Sequence, residues 1–577
     1  MTTIANIPLS CLSTPSLQEG FDNLSIEQKY SFAKFVKGRN LFVTGPGGTG
    51  KTRLIQFMVE YLNSIGKSFQ VCALTGCAST LLNCKAKTIH SWSGIRLGKG
   101  DPEDIIRRVI RNRCYIKSWR TAEVLIVDEV SMMSRKMFEL LDQIGRIIRK
   151  NATKPFGGLQ LVFTGDFFQL PPIPDHGDPS TGEFCFQHPK WATTFKSADC
   201  IELKTFFRQK DPEYISILQE VRRGTISAGN IELLQKRLMR GTVPETRNGV
   251  IPTKLFPVRS KVETINETSY AKLEGEERVY HFSVAKNVKT HIDTGAVLTP
   301  AEIAHCEELT SEQLSDEVDN LIISLFTEKT VKLKVGALVM CTVNMDVDKG
   351  ICNGSQGVVI GYSEANSVNL PEDVVRKTTG PLIIPVVQFS NGVVMKVAPH
   401  QRQSEEYPCI VVSQIPLCLA WALTIHKIQG ATLDMAEMDI GRSIFAEGQS
   451  YVALSRVKTL DGLFLSEFNS TKIKANPLVV EFYSTFPEIR EDVVLSEIMS
   501  ISNIHTAVRN ETRSGGGGFN ASATKQTNMQ SFIKTTPNPF SVFNNVDSNS
   551  ATSSSSELRE EEPIKDPTIK TIKLSKY

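Results

Sequence analysis

The chain has 577 residues, too many for one hydrophobic core, and its 41% hydrophobic and 22% charged residues mark a globular protein rather than a disordered or fibrous one. No apolar run is long enough for a membrane span, and a net charge of +3 neither demands nor excludes nucleic acid. Twelve cysteines without any Cys-x-x-Cys pair argue against a zinc site and for reduced, buried thiols. Residues 1–24 read as a flexible leader. With no Lys or Arg before Lys29, neither a secretory signal nor an Arg-rich presequence is visible, so cytosol or nucleus is expected.

From 25 to 203, apolar strand-like runs alternate with helical patterns, which predicts a mostly parallel α/β sheet. Leu41–Thr44, Gln70–Leu74, Val124–Val127 and Leu159–Thr164 are its expected strands. The first runs into Gly45-Pro46-Gly47-Gly48-Thr49-Gly50-Lys51-Thr52 and then a helical pattern. A glycine-rich turn between strand and helix aims backbone N–H groups and the helix dipole at one point, which is a phosphate cradle. Lys51 is placed to reach terminal phosphates and Thr52 to ligate Mg²⁺, so a nucleoside triphosphate site is implied. Leu125-Ile126-Val127-Asp128-Glu129 ends a buried strand on two carboxylates. Asp128 would hold the metal through water, and Glu129 would deprotonate the attacking water. Gly165-Asp166-Phe167-Phe168-Gln169-Leu170-Pro171-Pro172 ends a further strand and offers Gln169 as a γ-phosphate sensor.

A second α/β set is split between 204–279 and 413–470. It carries Arg208 and Arg456, whose planar forks suit a transferring phosphoryl group supplied across a domain cleft. Between the halves, 280–412 reads as short strands with glycine turns, the texture of a small inserted β-barrel. Thr88-Ile89-His90-Ser91 and Thr424-Ile425-His426-Lys427 echo one another, one in each α/β set, and offer short donors for tracking a sugar–phosphate backbone. A helical segment is expected over 471–505. From 506 to 577 the glycine, serine and acidic runs predict a disordered tail. Within it, Gln526, Met529, Phe532 and Ile533 have the spacing of a sliding-clamp docking peptide.

Taken together in this order, the phosphate loop, Ala73-Leu74-Thr75-Gly76-Cys77-Ala78, the Thr88 block, Asp128-Glu129, the Gly165–Pro172 run, Phe207-Arg208-Gln209, Thr424–Gly430 and Val452-Ala453-Leu454-Ser455-Arg456 resemble a superfamily 1B DNA helicase of the Pif1 type. The stretch from Met137 to Gln160 is similar to the one that marks Pif1 proteins among helicases. The resemblance spans about 24–470. It implies two RecA-like domains (1A, 25–203; 2A, 204–279 and 413–470), an SH3-like insertion 2B over 280–412 and a small wedge near 95–120. It also implies ATP and Mg²⁺ as cofactors and 5′→3′ movement on single-stranded DNA in replication, repair, recombination or telomere maintenance. Gln28 would read adenine, Gln429 and Gly430 would join the ATP site, and Thr75 and Gly76 would join the DNA contacts. A monomer in the nucleus is expected, or at a cytoplasmic replication site if the chain is viral. A RecD-like helicase of the same superfamily and a DNA-binding adaptor with a vestigial ATPase stay open. A GTPase is disfavoured, because no Asn-Lys-x-Asp is present.

Overall fold

The computed structural model describes residues 12 and 14–501, apart from 83, 85, 97, 176, 240–247, 293–294, 325–327, 347, 366–381 and 405–406. The first domain is built on a six-stranded parallel sheet: β1 (Leu41–Thr44), β2 (Phe69–Ala73), β3 (Lys87–Thr88), β4 (Val124–Asp128), β5 (Gln160–Thr164) and β6 (Cys200–Glu202). Their order is β3-β2-β4-β5-β1-β6. β1, β4 and β5 are buried along their whole length, as central strands covered on both faces must be. Because the strands are parallel, with Val43 beside Thr164 and Val127 beside Phe163, the turns after β1, β2, β4 and β5 open at the same edge of the sheet.

The leader is not loose throughout. Pro15–Asp22 is a helix, capped by Thr14 with Pro15 in its first turn, and Leu17, Phe21 and Leu24 are buried. Phe21 packs on Phe32 and Phe57, with ring centroids 5.8 and 6.4 Å apart. The cap signal and the Leu17–Phe21–Leu24 spacing outweigh the polar composition of the flanks.

In the second domain, strands from both sides of the insertion share one parallel sheet, in the order Ala422–Thr424, Thr253–Phe256, Ala436–Ile440, Leu463–Phe468. The intervening residues form a five-stranded antiparallel sheet around its own core of Val339, Val359, Val387, Phe389 and Leu417, together with two smaller sheets. Two differences from the sequence reading stand out. Leu417–Leu419 pairs with Leu338–Cys341, so the inserted sheet runs past residue 412. The insertion also holds the helices Pro300–Glu307 and Ser311–Ser324, the first opened by a Thr299/Glu302 capping box. The Thr299-Pro300-Ala301-Glu302 box is the local signal that marks the first of them amid the glycine turns.

The chain then returns to the first domain. Helix Pro477–Ser484 stacks Phe482 on Phe186 at 4.3 Å, and residues 491–501 are helical, with Val494, Ile498 and Ile501 buried in the cluster that holds Leu17 and Phe21. Among the described residues, no helix is long and apolar enough to cross a membrane.

Candidate functional site

A cleft of about 470 Å³ lies between the two α/β domains, lined from the first by the phosphate loop, Asp128, Glu129 and Gln169 and from the second by Gly430 and Arg456, with Phe207 and Arg208 at its rim. The loop is fixed by its own sequence. Gly48 and Gly50 take positive φ (94° and 81°), and a Cβ would meet Gln209 Oε1 or Gln28 Nε2 at 2.6 Å. Lys51 opens the helix Lys51–Ser64 and donates to Gly45 O at 2.6 Å and Pro46 O at 3.1 Å. Thr49 is buried and donates to Pro46 O at 2.8 Å, so it braces the loop rather than lining the cleft. Burial pushes the Lys51 ammonium down, opposed by the carboxylates of Asp166, Glu129 and Asp128.

Asp128 accepts hydrogen bonds from the Thr164 hydroxyl and from Glu129 N–H. Glu129 has φ 56°, a conformation that costs a non-glycine residue about 1 kcal/mol or more and here turns the chain sharply at the strand end. Burial raises both carboxyl groups, and the charge of Asp128 raises Glu129 further. From the second domain, Gln429 places Nε2 3.4 Å from both Glu129 Oε2 and Gln169 Oε1. Arg456 is 2% exposed and is held by Val452 O at 2.9 Å and Ser455 Oγ at 2.8 Å, while Arg208 donates to Ser455 O at 3.3 Å. Burial, then the neighbouring Arg456, pulls the Arg208 guanidinium down to about 10. Two neighbouring guanidiniums and the glycine loop line one cleft, an arrangement whose chemistry suits a polyanion. The buried Asp128, the half-buried Glu129 and the exposed Thr52 line the same cleft and offer hard oxygen donors of the kind that suit Mg²⁺.

The cleft thus gathers Gly47, Gly48, Gly50, Lys51, Thr52, Asp128, Glu129, Gln169, Arg208, Gly430 and Arg456, with Gly45, Pro46, Thr49, Gln28 and Gln429 behind or beside it. The Gln28 amide braces the loop, donating to Gly50 O at 3.1 Å while its oxygen caps Ser25 N–H. The residues expected to track a sugar–phosphate backbone lie elsewhere. Thr88 caps the helix Ile89–Ser93 at the end of β3, and Thr424 accepts from Lys427 N–H at the end of Ala422–Thr424. Both strands are sheet edges, and both histidines are depressed by burial, His90 to about 4. Thr75 likewise spends its hydroxyl on the cap at Ala78 N–H, beside Gly76. Gln526, Met529, Phe532 and Ile533 lie outside the described residues.

Two residues of the site were missed from sequence. Phe207 is 48% exposed, its ring against Gly50 and its N–H on Gly48 O at 2.8 Å, an open aromatic face at the cleft mouth. Tyr451 accepts the Gly47 N–H at 2.9 Å. Each sits within a block already singled out, next to or near its arginine. The Met137–Gln160 stretch is a brace: Asp142 bonds Arg146, Lys190 and Phe156 N–H, and Arg149 bonds Trp119 O and Ala122 O, both at 2.7 Å.

Residues 23–232 match the family model described as PIF1-like helicase, and 318–362 match the DNA helicase Pif1 2B domain. The chain is 34% identical over 463 residues to the ATP-dependent DNA helicase PIF1 of Xenopus laevis, covering 80% of this chain and 64% of that protein. It is 31% identical to the ATP-dependent DNA helicase RRM3 of Saccharomyces cerevisiae, covering 81% and 68%. The crystal structure of Pif1 helicase from Candida albicans superposes with a TM-score of 0.62 at 31% identity, covering 80% of this chain and 99% of that one. With its fold, its cleft and these relatives in agreement, the chain belongs to the Pif1-like helicase family.

Proposed function

We propose that this chain is an ATP-driven motor that moves 5′→3′ along single-stranded DNA and unwinds duplex or structured DNA. The observation that carries the reading is the shared cleft: acids and amides from one domain face Arg456 from the other, so phosphate cleavage and domain closure are one event. Pif1 helicase from Bacteroides, 25% identical to this chain, has been solved in complex with ADP-AlF3 and single-stranded DNA, which supports both nucleotide and strand as ligands.

In this reading Glu129 takes the proton of the attacking water, Gln169 and Gln429 orient that water, and Lys51, Arg208 and Arg456 stabilise charge on the transferring phosphoryl group. Thr52 and Asp128, the latter through water, would hold Mg²⁺, which neutralises charge between the phosphates. Phe207 gives the base an apolar face beside Gln28. Thr75, Gly76, Thr88, His90 and Ser91 on the first domain and Thr424, His426 and Lys427 on the second grip the strand alternately. Driving a junction against the helices Pro102–Arg111 and Arg113–Thr121 opens pairs at roughly 1.4 kcal/mol per step. A monomer in the nucleus, or at a cytoplasmic replication site, with a tail peptide at Gln526–Ile533 for a sliding clamp, completes the proposal.

Strand displacement on partial duplexes with a 5′ or a 3′ overhang, with and without ATP, tests it. Unwinding of the 5′-tailed substrate alone, lost in Lys51→Ala, is expected. Displacement without ATP, or from the 3′ tail only, overturns the reading.

A further inference from the structure

Three parts of the chain converge on one carboxylate behind the phosphate loop. Asp166 is fully buried, three residues before Gln169. Arg222, from the second domain and 4% exposed, bonds both its oxygens, Nε to Oδ2 and Nη2 to Oδ1, each at 2.9 Å, and reaches Glu202 at 2.6 Å. Tyr451 donates to Oδ2 at 3.2 Å, and Tyr483, from the C-terminal helix, donates to Oδ1 at 3.3 Å. Each phenol oxygen is also an acceptor. Tyr451 takes the Gly47 N–H at 2.9 Å, and Tyr483 takes the Phe167 N–H at 3.1 Å with the Thr44 hydroxyl at 2.5 Å. Thr44 ends β1 directly before the loop, and Gly47 lies within it. Burial raises both phenols, so they remain protonated donors. The Arg222 guanidinium lies over the rings of Phe168 and Tyr483, at 4.6 and 5.2 Å, which locks the node sideways.

We propose that Tyr451 and Tyr483 are positioning residues for nucleotide hydrolysis, holding the phosphate loop so that turnover depends on docking of the second domain and the C-terminal helices. Neither is among the residues that line the cleft, so they act through Gly47 and Thr44. Tyr451 precedes Arg456 by five residues, in and just past the helix Gln449–Leu454, so the movement that seats the arginine also seats the phenol. Removing one hydroxyl strands a buried N–H and frees the loop from its register, and small misplacements of reacting groups are costly in rate.

The inference rests on the nucleotide reading of the cleft. Its test uses the full chain with Tyr451→Phe, Tyr483→Phe, the double variant, and Tyr214→Phe as control. Tyr214 donates to Leu454 O at 2.6 Å, beside the same helix, but is not one of the groups bonded to Asp166. Measured are kcat and KM for DNA-stimulated ATP hydrolysis, single-stranded DNA affinity, melting temperature, and affinity for a fluorescent ADP analogue without DNA. Each single variant is expected to lower kcat about 10-fold at unchanged DNA affinity. The double variant should fall little further, because both phenols serve one carboxylate. Tyr214→Phe should keep the wild-type kcat. Wild-type kcat in both single variants, or the same fall in Tyr214→Phe, overturns the proposal. If the unmodified chain hydrolyses no ATP, the motor reading fails and ADP-analogue affinity decides: weaker binding in Tyr451→Phe and Tyr483→Phe supports positioning, and equal binding refutes it.

Discussion

The two α/β domains share a parallel-sheet plan and divide the chemistry unequally. In the first, β1 ends in a glycine loop, and β4 ends in Asp128 and Glu129. In the second, the central strand Thr253–Phe256 passes through Pro257 and Val258 into the helix Arg259–Ala271, with no glycine turn and no side-chain cap. A strand followed by a helix is therefore not itself a phosphate site; the amides must be aimed by residues that tolerate positive φ. The second domain brings Arg456 and Gln429 instead, so under the proposed motor reading each domain supplies half of the site.

The sharpest way to break this division is to remove one charge from each half. Lys51→Ala should abolish DNA-stimulated phosphate release, and Arg456→Ala should lower it by roughly 1,000-fold or more, the range of an arginine supplied to a phosphoryl group. The two should differ in nucleotide affinity, with Lys51→Ala binding an ATP analogue poorly and Arg456→Ala binding it well. If Arg456→Ala hydrolyses ATP normally, the second domain is a spectator.

Next in size is the buried pair that joins the halves. Asp166→Asn strips the buried Arg222 of its two-oxygen partner and leaves it only the half-buried Glu202, and should cost about 3 kcal/mol in unfolding free energy. Asp166→Asn combined with Arg222→Met should recover much of that loss in urea denaturation. Additive losses would show that the pair is not an energetic unit.

The difference between the domains also explains what was legible in the sequence. The loop, Asp128-Glu129, Arg208 and Arg456 are read from residue type at fixed spacing, because phosphate chemistry tolerates few substitutes. The cross-domain contacts are not local. Tyr451 on Gly47, Gln429 on Glu129 and Tyr483 on Asp166 link residues 300 or more positions apart, so nothing in their immediate neighbours encodes them. The helix Pro15–Asp22 carries a local signal in Thr14-Pro15 and the spacing of Leu17 and Phe21, but the polar flanks read as a flexible leader and masked it.

The histidine echo gives a smaller effect, set by pH. His90 is depressed by burial to about 4, so between that value and the ordinary 6.5 the unfolded chain binds a proton that the folded chain refuses. Its contribution is fully present above pH 6.5 and drains away as pH falls toward 4, on the order of 3 kcal/mol across the window. Urea midpoints at pH 7 and pH 5 should therefore differ less in His90→Asn than in the unmodified chain. An equal difference would mean that His90 is solvated rather than packed.

The smallest effect separates the neighbours His426 and Lys427. Burial lowers His426 as well, so at pH 7 it is a neutral donor that releases no counterion when it meets a phosphate. The ammonium of Lys427 is partly exposed three residues past the edge strand, where a backbone contact would release one. In a plot of log affinity for single-stranded DNA against log salt, Lys427→Ala should make the slope shallower by about 0.7, the value for one phosphate on a single strand. His426→Asn should weaken binding at every salt concentration and leave the slope as it was. A slope change in His426→Asn would show that the ring is charged on the DNA, and the parallel drawn between the two Thr-Ile-His blocks would then end at their sequence.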